Sequence, residues 1–118
     1  MERGVVTLNK YFLSIYPFFK CNYRCSYCYL TNEDLSSDKK LEIKRLKVFA
    51  KNFNKEASNV VVEILGGEPL LFPKYIKRIV DLLRRECKNL KVKISTNGSI
   101  MNSKIVKLLR EFDEVQIS

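Results

Sequence analysis

Three of the chain's four cysteines lie within eight residues, in the run Cys21-Asn-Tyr-Arg-Cys25-Ser-Tyr-Cys28, and the fourth, Cys87, stands alone. There is no histidine, so a histidine-based triad or a histidine-ligated metal is impossible. Chemistry here must use Cys, acids, Tyr, the backbone or a cofactor. Three thiolates on one short loop can hold three irons of a cubic 4Fe-4S cluster and leave the fourth iron open to a small molecule. The same residues allow a structural zinc site, which needs four ligands and would have to recruit Cys87 or an acid. A redox disulfide ranks behind both. Cys87 falls on the apolar side of a helix, where a small buried hydrophobe is the simplest reading.

A second group is Gly66-Gly67-Glu68-Pro69, which closes a β-branched run. Glycine permits positive φ and proline stops a ladder, so a plain strand-ending turn would need nothing more. The functional alternative is that the glycines let the backbone approach a ligand closely while Glu68 offers a carboxylate to an ammonium group. Tyr27, between two of the clustered cysteines, either packs as an ordinary ring or flanks whatever binds the open metal position.

The elements that position these groups alternate strictly. Phe12 to Phe18 reads as a buried strand running into the cysteine cluster, and the polar stretch from Thr31 to Ser37 leads to a helix. Ser37 or Asp38 is its expected N-cap, with Ile43, Leu46, Ala50 and Phe53 at helical spacing. Val60 to Leu65 is the second strand, and Pro73 can start the second helix at its first position. That helix puts Lys74, Lys77, Arg78, Arg84, Arg85 and Lys88 on one face and Ile76, Ile79, Val80, Leu83 and Cys87 on the other. Leu90 to Ser95 forms a third strand, Ile105, Val106, Leu109 and Phe112 mark a third helix, and a fourth strand begins at Val115.

Such alternation implies an α/β fold with a parallel sheet and helices outside it. The Cys loop, the Gly-Gly-Glu-Pro loop, Thr96-Asn97-Gly98 and Ser118 all fall at carboxyl ends of strands, where parallel α/β folds place their sites. Three units and the start of a fourth cannot close a full barrel. An apolar, largely unpaired edge is therefore expected at the fourth strand, with Phe12, Val60, Val62, Ile64, Val92 and Ile94 partly uncovered on the sheet's inner face and association of the isolated chain as the consequence.

The composition is that of one globular domain: 118 residues, 46% hydrophobic and 30% charged, without a linker or a second domain. The longest nearly apolar run, Tyr11 to Phe19, contains Ser14 and Pro17 and is too short to span a bilayer. It also lacks a signal-peptide cleavage site, so the expected location is the cytoplasm. A net charge of +9 could suit nucleic acid, but the basic residues alternate with apolar ones as helix surfaces require, which makes nucleic acid an unlikely partner.

Cys-x3-Cys-x2-Cys with an aromatic before the last Cys, followed after the next strand by Gly-Gly-Glu-Pro, resembles the radical S-adenosylmethionine (radical SAM) superfamily, nearest to its peptide-maturing and molybdenum-cofactor-type branch. The resemblance implies that residues 1–118 are the N-terminal part of a six-unit partial TIM-type barrel lacking its C-terminal half. It makes Cys21, Cys25 and Cys28 the ligands of a 4Fe-4S cluster whose open iron chelates SAM. Tyr27 would lie beside the adenine, Gly66, Gly67 and Glu68 would meet the SAM amino group, and Thr96 and Ser118 would contact its carboxylate side and ribose. Reductive cleavage of SAM would yield a 5'-deoxyadenosyl radical that abstracts hydrogen from a substrate, here a peptide or protein. The electron donor implied is a ferredoxin or a flavodoxin-like protein. The competing function is a non-catalytic metal module, either zinc-stabilised or electron-transferring.

Overall fold

A computed structural model describes residues 10–24, 30–54 and 59–118. The strands are β1 (Lys10–Ile15), β2 (Asn59–Ile64), β3 (Leu90–Thr96) and β4 (Glu114–Ile117). They form one sheet in the order β1-β2-β3-β4, with every neighbouring pair parallel. The helices are α1 (Asn32–Ser36), α2 (Ile43–Asn54), α3 (Pro73–Glu86) and α4 (Ser103–Leu109), with a 3-10 turn at Pro69–Leu71. The expected α/β alternation is therefore present, since a parallel neighbour can be reached only by a crossover and each crossover here carries a helix.

Local chemistry explains most of the boundaries. Pro73 opens α3, where its missing N–H costs nothing. Asn102 caps α4, its side chain accepting the Ile105 N–H at 2.9 Å. Three expectations shift. The first strand ends at Ile15 rather than Phe18, because Pro17 cannot donate to the ladder. The polar Thr31–Ser37 stretch contains α1. Neither Ser37 nor Asp38 caps α2, which starts at Ile43; Ser37 Oγ accepts the Lys39 N–H, and the Asp38 carboxylate pairs with Lys20 at 2.7 Å.

One sheet face is packed under the helices. Val62, Ile64, Val92 and Ile94 meet Ile76, Ile79, Val80 and Leu83 of α3 in a core where none of these side chains is more than 2% exposed. Burying each of those residues contributes roughly 1.5–3 kcal/mol relative to leaving it in water. The expectation that Val60, Val62, Ile64, Val92 and Ile94 line a partly uncovered inner face is thus corrected, since the side chains on the even strand positions of β2 and β3 all point to the helices. The other face carries Phe12, 66% exposed, and a row formed in register by Ser14, Glu63, Lys93 and Glu114. It is largely polar because the helices take the apolar alternate positions.

The charged face of α3 is exposed as expected, but two of its cations do structural work. Lys77 pairs with Glu111 at 2.9 Å, and Arg84 donates to the Glu111 carbonyl and to Asp113. Asp113 also accepts the Val92 N–H at 2.8 Å, which fastens the start of β4 to β3. That backbone donor, followed by the Arg84 guanidinium, holds the Asp113 carboxyl below the ordinary carboxylate value. Among the described residues no helix is long and apolar enough to cross a membrane.

Candidate functional site

All four strands point the same way, so their carboxyl ends share one rim. Beyond Ile15 the chain does not leave the sheet. It runs beside the loop that follows β2, with Leu65 N–H donating to Ile15 O (2.9 Å), Gly67 N–H to Phe18 O (3.3 Å) and Glu68 N–H to Lys20 O (2.8 Å). The two glycines make this approach possible. Gly66 has φ +121°, and a Cβ there would collide with Phe18 O, while one on Gly67 would collide with the Phe19 and Lys20 carbonyl oxygens. The close approach anticipated for a ligand is thus made in the first place to the protein's own backbone, and it delivers Cys21 to the rim.

Further bonds fix the loop there. Cys21 N–H donates to Leu35 O of α1 at 3.0 Å, and Leu35 is buried. Arg24 reaches back to the carbonyls of Cys21 (2.9 Å) and Tyr23 (3.0 Å) and to the Ser36 hydroxyl (3.1 Å). The Lys20 ammonium lowers the Asp38 carboxyl below its usual range, first by hydrogen bonding and then by charge. The half-buried Cys21 sulfur accepts the Tyr23 backbone N–H at 3.4 Å and lies 3.8 Å from Asn97 Nδ2.

Glu68 is 1% exposed and joins the ends of β2 and β3. Its Oε2 accepts the Leu70 N–H and the Thr96 hydroxyl, both at 2.8 Å, and its Oε1 accepts the Asn97 N–H at 2.7 Å. Thr96, 2% exposed, also accepts the Gly98 N–H at 3.2 Å. A carboxylate has about four lone-pair sites, so three of them serve this seam. Ser118 is exposed just past β4, held by its N–H to Thr96 O at 3.0 Å.

Cys21, Gly66, Gly67, Glu68, Thr96 and Ser118 therefore converge on one rim, whereas Cys25, Tyr27 and Cys28 lie outside the described residues. Cys87 is buried at the opposite end of the sheet, before β3; burial pushes its thiol pKa up. β3 is seven residues long, which separates Cys87 from the rim by about 20 Å at ~3.3 Å per residue. It cannot be a fourth ligand with Cys21. Among the described residues no group of three Cys, Asp or Glu side chains is placed to hold a metal. A sulfur that receives N–H donors is chemically suited to be a metal-bound thiolate, so Cys21 fits a thiolate-ligated cluster.

Sequence reasoning missed Asn22, Asn97 and Ser99, whose side chains hold the Cys loop to the end of β3, and Arg24, which ties the loop to itself and to Ser36 of α1. Asn-Gly at positions 97–98 signalled a turn, and Gly98 indeed has φ +74°. Nothing local signalled that the asparagine would reach residues 75 and 76 positions away.

The family model of the radical SAM superfamily matches residues 15–118. The chain is 30% identical over 96 residues to an uncharacterized protein of Methanocaldococcus jannaschii, covering 80% of this chain and 32% of the relative. It is 31% identical over 115 residues to the radical SAM cyclopropyl synthase TigE of Paramaledivibacter caminithermalis, covering 80% of this chain and 23% of that protein. The subtilosin biosynthesis protein AlbA of Bacillus subtilis is 31% identical over 97 residues, with 80% and 20% covered. Among solved structures, anSMEcpe with bound AdoMet superposes with a TM-score of 0.77 at 23% identity, over 92% of this chain and 31% of that one. The chain thus spans about a third or less of the length of these relatives, and its sheet and helices are arranged as in part of the anSMEcpe fold.

Proposed function

The chain belongs to the radical SAM superfamily, and on that premise we propose that Cys21, Cys25 and Cys28 hold a 4Fe-4S cluster whose open iron takes S-adenosylmethionine at the strand-end rim. The observation that carries this reading is the Cys21 sulfur, brought to the carboxyl ends of β2 and β3 and provided there with N–H donors. When bound, such a cluster supplies one electron that cleaves SAM to methionine and a 5'-deoxyadenosyl radical, which takes a hydrogen atom from the substrate.

The chain's own residues hold and orient the cofactor. Gly66 and Gly67 keep the loop after β2 tight against Phe18–Lys20, so that Cys21 and the loop share one edge of the site. Glu68 meets the SAM ammonium through the one lone-pair site its three protein donors leave, with Thr96 as its support. Tyr27 flanks the adenine and Ser118 reaches the ribose. An electron comes from a donor of the ferredoxin or flavodoxin kind. A peptide or protein is the proposed substrate, which is supported by the similarity to AlbA and to anSMEcpe, solved with both AdoMet and a peptide bound. Residues 1–118 act as the N-terminal part of the barrel, a reading supported by the share of each relative that the chain spans.

Anaerobic reconstitution with iron and sulfide tests this directly. About four irons per chain are expected, lost on substitution of any one of Cys21, Cys25 or Cys28 by Ala and retained in Cys87→Ala. Addition of SAM should alter the EPR spectrum of the reduced protein. A colourless protein with one tightly held zinc and no affinity for SAM would overturn the proposal in favour of a non-catalytic metal module.

A further inference from the structure

We propose that Asn97 is a positioning residue for the cysteine loop, whose side-chain N–H, aimed at the Cys21 sulfur, raises the reduction potential of the cluster that this sulfur ligates. The inference rests on the cluster reading above. Its basis is that the orientation of the Asn97 amide is determined. Oδ1 accepts the Ser99 backbone N–H at 2.9 Å and the Ser99 hydroxyl at 2.6 Å. Nδ2 faces Asn22 Oδ1 at 2.9 Å and Cys21 Sγ at 3.8 Å, one acceptor for each of its two hydrogens. Turning the amide over would set Oδ1 against an oxygen and a sulfur acceptor and point N–H groups at the Ser99 N–H. Only one orientation satisfies all four groups.

The rest of the network holds that amide still. Asn22 Nδ2 donates to Ser99 Oγ at 2.8 Å, so Asn22, Asn97 and Ser99 close a ring of side chains across the gap between the Cys loop and the β3 turn. The Asn97 backbone N–H is fixed to Glu68 Oε1 at 2.7 Å, and Gly98 makes the turn that brings Ser99 back under the amide. A donor at a ligand sulfur stabilises the more negative, reduced state of an iron–sulfur centre, which is how second-sphere hydrogen bonds adjust such potentials. Asn97 does this from the end of β3, whereas the Tyr23 N–H belongs to the loop itself, so the sulfur takes donors from two separate chain segments.

The test is an EPR-monitored redox titration of the reconstituted protein, with iron content measured in parallel. Asn97→Ala removes the donor and should lower the reduced-to-oxidised ratio at the wild-type midpoint roughly threefold, about 28 mV at 59 mV per decade. Asn97→Asp puts an acceptor there instead and should lower it about tenfold, or ~59 mV. Asn22→Ala breaks the ring but keeps the donor, and its midpoint should stay within half the Asn97→Ala shift. A purely structural role would reduce iron loading in all three variants while leaving the midpoint of the loaded fraction unchanged, and that result would overturn the inference. So would equal shifts in Asn97→Ala and Asn22→Ala. If Asn97→Asp does not retain iron, the comparison of the two alanine variants decides. A wild-type protein that binds no cluster would overturn the cluster reading itself, a result distinct from an unmoved midpoint.

Discussion

Replacing Glu68 by Gln changes one atom type in a side chain that is 1% exposed, yet every described donor around it needs an acceptor. Glu68 Oε1 takes the Asn97 N–H, and Oε2 takes the Leu70 N–H and the Thr96 hydroxyl. The Gln amide has a single oxygen. Aimed at Asn97, it turns its NH2 toward the Leu70 N–H; turned over, it leaves the Asn97 N–H facing a donor. Either way one buried backbone N–H loses its partner, at a cost of about 1–3 kcal/mol, and the surviving bonds drop from about 1.5–3 kcal/mol each for a charged acceptor to about 0.5–1.5. Roughly 3 kcal/mol of destabilisation is expected, or a fall of about 10 °C in Tm at the ~3–5 °C per kcal/mol of a domain this size. Thermal melts by circular dichroism, beside SAM titrations of the reconstituted protein, separate the two roles of this residue. Weaker SAM binding should accompany the lower Tm, because the seam that carries the site has loosened. An unchanged Tm with several-fold weaker SAM binding would refute this reasoning and show that the carboxylate serves the ligand alone.

Gly67→Ala should destabilise the fold by at least ~2 kcal/mol through overpacking, since its Cβ would meet the Phe19 and Lys20 carbonyls, and iron retention should fall with it because the same backbone delivers Cys21. Asp113 offers a pH test: its carboxyl is lowered in the folded state by the Val92 N–H and Arg84, so its stabilisation is complete above the unfolded carboxylate value and disappears as pH falls through the lower folded one. Melts of wild type and Asp113→Asn should differ fully between pH 5 and 7, with the difference beginning to shrink only below about pH 4 and continuing to shrink toward the lower folded value, and a difference that stays constant down to about pH 2 would refute this.

The sequence by itself determined the alternation of strands and helices, the start of α3 at Pro73, the buried stripe of Ile76, Ile79, Val80 and Leu83, and the set of three clustered cysteines. These are local signals, carried by residue type and by periods of two or 3.6 within a dozen positions. It did not encode which face of β2 meets the helices, because Val60-Val61-Val62 has no polar alternation to mark a side, and the expectation that Val60 and Val62 face an uncovered inner side failed for that reason; only pairing with β3 and packing against α3 assigned them to the core. The same limit applies at the rim. That Gly66 and Gly67 make room for Phe18–Lys20, that Glu68 joins two strand ends, and that Asn97 reaches Cys21 are contacts between segments 28 to 76 residues apart for the side-chain bonds. No local pattern encodes such pairs. They exist because parallel strands bring every carboxyl end to the same rim, and the tertiary structure alone decides which of the residues gathered there become partners.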